Sequence, residues 1–113
     1  MLDKTLINGF RFLEELRKLD PEMQLQTAQT FMCVALRPGI TMKEIGDKLG
    51  LSQSSCSRNV AALSKVHRLN KPGHNLVVAV EDPMERRRKV VNLTPDGERM
   101  ARNIKALLEG NDF

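Results

Sequence analysis

The sequence has 113 residues, 41% of them apolar, and a formal net charge of +4, which suits one globular domain with a modest core. It has no Trp or Tyr and only four Phe, so no aromatic platform for stacking single-stranded bases is visible. Its apolar runs are too short to span a membrane, its N-terminus lacks a secretion signal, and its two cysteines form neither a disulfide framework nor a zinc pattern. We therefore expect a cytoplasmic protein without a metal or other cofactor.

Two helices are predicted first. Asp3 can cap a helix that runs to about Leu19, whose apolar stripe is wider than one contact face requires. Its neighbours could be its own core or a second subunit. Asp20 and Pro21 fit the N-cap and first position of a second, more apolar helix, which ends at Arg37-Pro38-Gly39.

A helix-turn-helix follows. Ile40-Thr41 is long enough only for one or two bridge residues, and Thr41 with Glu44 forms a capping box that opens a third helix. Gly50 can supply the left-handed residue that ends this helix. Ser52 can cap a fourth helix, which should end near residues 65–68. A helix, a turn with glycine and a second helix at this spacing predict a helix-turn-helix.

The fourth helix has two different faces when it is counted at 100° per residue. Cys56, Val60 and Leu63 fall on one side, which can pack inward. The opposite side is small, hydroxylated and basic, with no acid to repel a phosphate, as in a helix that enters the major groove of DNA. The residues on that side are Ser54, Ser57, Arg58, Ala61 and Lys65.

A β-hairpin and a last helix complete the chain. Residues 76–80 and 89–93 are rich in β-branched residues and predict two strands, joined by a polar connection over residues 81–88. Four consecutive basic residues, 86–89, should lie at or near its tip. Thr94 and Pro95 fit the start of the last helix. The predicted fold is mainly α with a small β-hairpin, a winged helix-turn-helix of order α-α-(β)-α-α-β-β-α, in one domain over residues 1–113.

The positive charge is uneven along the chain. Residues 1–52 carry no net charge, residues 53–105 carry +6 and residues 106–113 carry −2. A basic half suggests a polyanionic partner, although a solvated basic surface explains the charge equally well.

Two stretches resemble the MarR family of winged-helix transcription regulators. LSQSSCSRNVAAL, residues 51–63, is similar to the family's recognition helix, with Cys56 where an apolar residue is usual. DPMERRRKVVNLTPDG, residues 82–97, is similar to its wing and the exit from the wing, with Glu85 in place of Asp. The connection from His67 to Asn75 is longer than the family's link, and one helix follows the wing.

The resemblance implies a homodimer that binds double-stranded DNA, with the recognition helix in the major groove and the wing in the minor groove. It also implies that Arg86 or Arg87 enters the minor groove and that Asp82 and Glu85 fix the wing loop; Arg88 and Lys89 complete the basic run. The first helix, about 3–19, and the last, about 95–109, should form a smaller or rearranged dimer interface through Leu6, Phe10, Leu13, Ile104, Leu107 and Leu108. A small-molecule effector is a further partner that the family suggests.

Arg58 is the best candidate for reading a base, because its planar guanidinium can bond both O6 and N7 of guanine; it could equally hold a phosphate. The serines could contact DNA or could only cap and solvate the helix. The predicted DNA-contacting residues of the recognition helix are Gln53, Ser54, Ser55, Ser57, Arg58 and Lys65.

The remaining reactive side chains of the sequence do not form a recognisable catalytic or metal site. Cys33 and Cys56 are expected in the core, and His67 and His74 lack partners for a metal. No catalytic motif is found, so we expect a repressor-type regulator and not an enzyme. The alternative is a winged-helix adaptor or anti-repressor that binds protein without specific DNA binding.

Overall fold

The computed structural model describes residues 3–65 and 72–110. Its order of elements is the predicted one, and the winged helix-turn-helix fold is confirmed. The elements are α1 (Lys4–Leu19), α2 (Leu25–Leu36), β1 (Ile40–Thr41), α3 (Met42–Leu49), α4 (Gln53–Leu63), β2 (Val77–Asp82), β3 (Glu85–Leu93) and α5 (Pro95–Leu108). Within these residues, none of the helices is both long and apolar enough to cross a membrane.

Local capping chemistry sets most helix starts. The Asp3 carboxylate accepts a hydrogen bond from the Thr5 backbone N–H at 2.9 Å, and the Thr41–Glu44 capping box is formed in both directions. Gly50 adopts the left-handed conformation with φ of 67°. Ser52 Oγ accepts from the Ser55 N–H at 3.1 Å. These side chains satisfy backbone groups that have no partner at a helix end.

The predicted start of α2 is wrong by four residues, since the helix begins at Leu25 with Gln24 as its N-cap residue. Asp20 instead closes a turn. Its Oδ1 accepts from the Glu22 N–H at 2.9 Å, and its carbonyl accepts from the Met23 N–H at 3.1 Å. An aspartate that bonds the backbone two residues ahead stabilises a turn as readily as a helix start.

The predicted end of α4 is also wrong, because the helix stops at Leu63. The Leu63 carbonyl accepts from the Leu76 N–H at 2.7 Å, so the chain leaves the helix to run beside the segment that enters β2. Lys65 therefore follows the recognition helix and is not on it. The long connection from His67 to Asn75 lies partly outside the described residues. In its described part, the Gly73 N–H donates to the Lys65 carbonyl at 3.0 Å.

The three strands form an antiparallel sheet in the order β1-β3-β2. The hairpin is confirmed, but its bounds differ from the prediction: β2 extends to Asp82 and β3 begins at Glu85. The turn is therefore only Pro83-Met84. The arginines 86–88 belong to β3 and not to a polar connection, and Lys89 lies in β3 as predicted. The reason is local, because the Asp82 carboxylate accepts from the Met84 N–H at 2.9 Å and closes the short turn.

The core lies between α2, α3, α4, the sheet and α5. Val34, Leu63 and Val91 are fully buried at its centre. Ile104 of α5 is only 3% exposed within the single chain. Its expected place on a dimer surface is therefore wrong, because the core of the protomer already uses it.

Candidate nucleic-acid interface

Helix α4 has the two faces that the sequence predicts. Cys56, Val60 and Leu63 are at most 2% exposed and pack into the core. Ser54, Ser57 and Arg58 are exposed on the opposite face, and Gln53 is exposed at its N-terminal end. The helix is fixed by its apolar side, so its hydroxyl and guanidinium groups are presented to solvent.

Ser55 differs from the other serines of the recognition helix. It is half-buried, and its Oγ accepts from Ser52 Oγ at 3.0 Å and from Arg58 Nη2 at 3.1 Å. Its hydroxyl is engaged within the helix. Arg58, by contrast, extends over the exposed first turn of α4 with its remaining guanidinium N–H groups available to an acceptor.

One buried polar residue of α4 was missed by the sequence analysis. Asn59 is 6% exposed and shares the inner side of the helix with Val60 and Leu63. Its Oδ1 accepts from Thr27 Oγ1 of α2 at 2.7 Å. The sequence shows only that Asn59 directly precedes Val60, which faces inward. Its partner, Thr27, is 32 residues away in sequence, so no local pattern identifies the pair.

The wing carries its arginines on an irregular part of β3. The backbone pairs Glu81 with Lys89 and Asp82 with Glu85, so residues 86–88 have no paired partner in β2. Such a β-bulge bends the strand and re-aims side chains. Among the described residues, the side chains of Arg86, Arg87 and Lys89 have no hydrogen-bond or ion-pair partner, and all three are exposed.

Asp82 holds the wing turn and the bulge together. Besides the Met84 N–H, it accepts from Arg88 Nη2 at 2.8 Å and from Arg88 Nε at 3.0 Å. Glu85 makes a longer contact, with its Oε1 3.4 Å from the Arg87 backbone nitrogen. Of the basic run, Arg88 is thus held by an acid, while Arg86, Arg87 and Lys89 are exposed.

The hydrogen bond from Met84, followed by the Arg88 guanidinium, lowers the pKa of the Asp82 carboxyl. A lowered pKa means that the ionised carboxylate stabilises the wing. This contribution is complete above the ordinary aspartate pKa of about 4 and is lost as the pH falls through the lower value of the folded wing.

We expect the NMR chemical shift of the Met84 amide, followed from pH 6 downward, to titrate below the ordinary aspartate pKa. In Asp82→Asn, which keeps an acceptor but not the charge, this titration should vanish; a step at the ordinary pKa in the parent protein would show that the contacts are not formed.

The recognition helix and the wing meet along one groove. Gln53 and Ser57 of α4 line one side of it, and Arg87, Arg88 and Lys89 of β3 line the other. Arg86 is not among its lining residues. The structure therefore brings together five of the ten predicted DNA-contacting residues, from two elements that are far apart in sequence, whereas Arg58 lies outside this groove.

Lys43 and Asp47 of α3 also line this groove. They form an exposed ion pair at 3.0 Å, so the carboxylate is neutralised locally and adds little repulsion toward a polyanion. Exposed ion pairs of this kind rearrange at small cost.

The cysteines and the described histidine do not form a reactive or metal-binding centre. Burial raises the pKa of both the Cys33 and Cys56 thiols, which keeps them protonated and weakly nucleophilic at neutral pH. His74 Nε2 lies 3.3 Å from Asp20 Oδ2 and ties the α1–α2 turn to the segment before β2. Within residues 3–65 and 72–110, no cluster of potential ligands could hold a metal ion.

A separate apolar stripe runs along α1. Leu6, Phe10 and Leu13, spaced i, i+4 and i+7, are 73%, 65% and 56% exposed. Helix α1 packs on α5, and Asn8 Nδ2 lies 3.5 Å from the Leu108 carbonyl. Leu108 is itself 43% exposed beside this contact.

Comparisons with known proteins agree with this geometry. Residues 33–65, from α2 to just beyond α4, match a family described as winged helix-turn-helix DNA-binding. The fold is similar to that of S. aureus MepR in a complex with DNA, with a TM-score of 0.70 and 17% identity over 86% of this chain and 72% of that chain. It is also similar to MarR, with a TM-score of 0.66 and 20% identity over 94% of this chain and 71% of that chain. The chain has a winged helix-turn-helix fold similar to the folds of MepR and MarR.

A third similar structure is the PcaV transcriptional regulator from Streptomyces coelicolor with its natural ligand. Its TM-score is 0.62, with 20% identity over 91% of this chain and 71% of that chain. A search of curated protein sequences finds no significant match. At these identities, the similarity to MarR and its structural neighbours is a similarity of fold. The function is therefore inferred from the residues of this chain.

Proposed function

We propose that this protein is a sequence-specific regulator of transcription that binds double-stranded DNA as a homodimer and acts as a repressor in the cytoplasm. The observation that carries the proposal is the common groove of α4 and the wing. An acid-free, hydroxyl-bearing helix face and an arginine-bearing bulge border the same surface. This combination suits a helix in the major groove with a basic extension toward the phosphates and the adjacent groove.

The residues have different roles in this proposal. Arg58 reads a guanine edge, and Gln53, Ser54 and Ser57 contact bases or phosphates beside it. Arg86 and Arg87 extend from the wing into the minor groove, where arginine recognises groove width. Lys65 and Lys89 neutralise phosphates. Asp82 and Arg88 hold the wing in shape, with Glu85 in support, and Ser55 acts within the helix and not on DNA.

A second copy of the chain covers the exposed stripe of α1 in this proposal. The interface is formed by the stripe together with the neighbouring end of α5 of the same chain, where Leu107 is half-buried and Leu108 is exposed. Exposed apolar stripes of this kind mark contact surfaces. Two copies related by a two-fold axis would place two recognition helices on two half-sites.

The surface between α1 and α2 suits a small apolar effector. It is a concave site with mostly apolar walls, as ligand sites usually are, and PcaV was solved with its natural ligand. The walls include Phe12, Leu13, Leu16, Leu25, Met32 and Leu36. Helices α1 and α2 adjoin both the α1 stripe and the helix-turn-helix. A ligand bound between them could therefore alter the distance between the recognition helices of the two copies.

The test begins with duplexes that the wild-type protein selects from a random-sequence library. We expect a selected duplex to bind more tightly than its scrambled counterpart, with affinity that falls steeply as salt rises. Failure of the folded protein to bind duplex DNA at low salt would overturn the proposal and favour a protein-binding adaptor.

Arg58→Ala should weaken binding to the selected duplex about 10- to 100-fold, the loss of one bidentate base contact, and should change binding to the scrambled duplex much less. Arg102→Ala, an exposed arginine on α5, is the matched control and should leave both affinities nearly unchanged. Titrations by fluorescence anisotropy measure all four values. An equal loss on both duplexes in Arg58→Ala would make Arg58 a phosphate contact.

A further inference from the structure

A hydrogen bond between two buried side chains joins α2 to the recognition helix. Thr27 Oγ1 donates to Asn59 Oδ1 at 2.7 Å, and each residue is 6% exposed. The other inward side chains of α4 are Cys56, Val60 and Leu63, whose contacts are apolar except for a longer one, at 3.4 Å, from Cys56 Sγ to the Met42 carbonyl. Apolar contacts are non-directional and tolerate small rotations, whereas a buried hydrogen bond is directional and its loss leaves a polar atom unsatisfied.

The amide of Asn59 is satisfied on both sides. Its Nδ2 donates to the Ser55 carbonyl, one turn earlier in α4, at 3.1 Å. A rotation of α4 about its axis, or a shift along it, would break the contact from Asn59 to Thr27. The pair therefore selects one rotational setting of the helix from those that the apolar contacts allow.

The same turn of α4 holds the guanidinium that is proposed to read DNA. Ser55, whose carbonyl binds Asn59, also accepts from Arg58 Nη2 at 3.1 Å. Polar contacts thus run continuously from Thr27 in α2, through Asn59 and Ser55, to Arg58 on the outer face.

We propose that Thr27 and Asn59 are positioning residues, which set the rotation of α4 and with it the aim of Arg58. This inference rests on the proposed function, since it concerns how a DNA-reading helix is oriented. It adds two residues that touch no DNA to those that determine sequence preference. Geometry held within a fraction of an ångström by supporting contacts is what a recognition site needs.

The test compares two substitutions at one position. Thr27→Val is close in shape but removes the hydroxyl, and Thr27→Ser retains it. We expect Thr27→Val to reduce the ratio of affinities for the selected and scrambled duplexes about 10-fold, chiefly through weaker binding to the selected duplex. Thr27→Ser should keep most of that ratio.

The double variant Thr27→Val with Asn59→Leu separates positioning from stability. An apolar pair of similar volume can match or exceed the stability of a buried polar pair. We expect this variant to unfold at a denaturant concentration near that of the parent while its duplex discrimination stays about 10-fold lower. Recovery of discrimination together with stability would overturn the inference, and would do so even if Thr27→Val alone failed to fold.

A readout on the DNA-free protein keeps the two proposals apart. The NMR signal of the Arg58 Nε–H should show a restricted side chain in the parent and in Thr27→Ser, and a more mobile one in Thr27→Val and in the double variant. Equal mobility of the Arg58 side chain in all four proteins would overturn the positioning role. If the parent bound no duplex, the proposed function would fail, while this measurement would still report whether Thr27 and Asn59 orient Arg58.

Discussion

Replacing Gly97 by alanine should lower the free energy of unfolding by about 3 kcal/mol or more, which is at the upper end of overpacking effects. A Cβ at this position would lie 1.9 Å from the Leu76 carbonyl oxygen and 2.9 Å from its carbon. The clash is with backbone, which cannot rotate away as a side chain does. Leu76 O is also held in place, because it accepts from the Thr94 N–H at 3.0 Å.

The contact at Gly97 joins the start of α5 to the root of the wing. Thr94 Oγ1 donates to the Asn75 carbonyl at 2.6 Å and accepts from the Gly97 N–H at 3.0 Å. Thr94 thus caps α5 and anchors the segment that enters β2 at the same time. Moving α5 outward to admit a methyl group would break both connections, so the wing should loosen with the helix.

Gly9→Ala is the matched control for Gly97→Ala. Gly9 lies within α1, and apart from its chain neighbours and the adjoining backbone of α1, no atom of the described residues is within 4 Å of the Cβ that alanine would add. Alanine there should raise stability by up to about 1 kcal/mol, because glycine is unfavourable inside a helix. Urea denaturation followed by circular dichroism measures both changes. Stability in Gly97→Ala equal to the parent would mean that α5 and the wing root are not packed as closely as described.

Much of the fold could be predicted because it depends on neighbouring residues. Thr41 with Glu44, Gly50 and Ser52 each satisfy backbone groups within three or four positions. The pattern of α4 likewise follows from its own periodicity. Local rules of this kind are readable from one sequence, and here they define the helix-turn-helix almost to the residue.

Two wrong predictions, the start of α2 and the bounds of the hairpin, come from local turns at Asp20 and Asp82, whereas the others depend on contacts between distant segments. The end of α4 is set by Leu76, which bonds the Leu63 carbonyl. The burial of Ile104 depends on how α5 meets the core. The role of Asn59 depends on Thr27. A local pattern cannot reveal such distant partners, which is why Lys65 was placed on the recognition helix.

A chain with Phe10→Glu and Leu13→Glu should be monomeric and should bind a duplex with two half-sites at least about 100-fold more weakly than the parent. The two side chains are 65% and 56% exposed on one side of α1, so both can be changed without disturbing the core of the protomer. Two carboxylates facing their symmetry mates would be desolvated and would repel each other. Loss of the second recognition helix removes the gain from linked binding, which is typically 100-fold or more.

Leu36→Glu provides the control for an added carboxylate at an exposed leucine. Leu36 is 79% exposed at the end of α2; it lines the concave surface between α1 and α2 but does not belong to the α1 stripe, so this variant should remain dimeric. Light scattering after gel filtration gives the mass of each protein, and titration with duplexes of one and two half-sites gives the affinities. Because the double variant keeps α4 and the wing intact, its affinity for the single half-site should be reduced only slightly by the added negative charge. A dimer that survives Phe10→Glu with Leu13→Glu would place the interface elsewhere, whereas an equal loss on both duplexes would show that α1 supports the DNA-binding half directly.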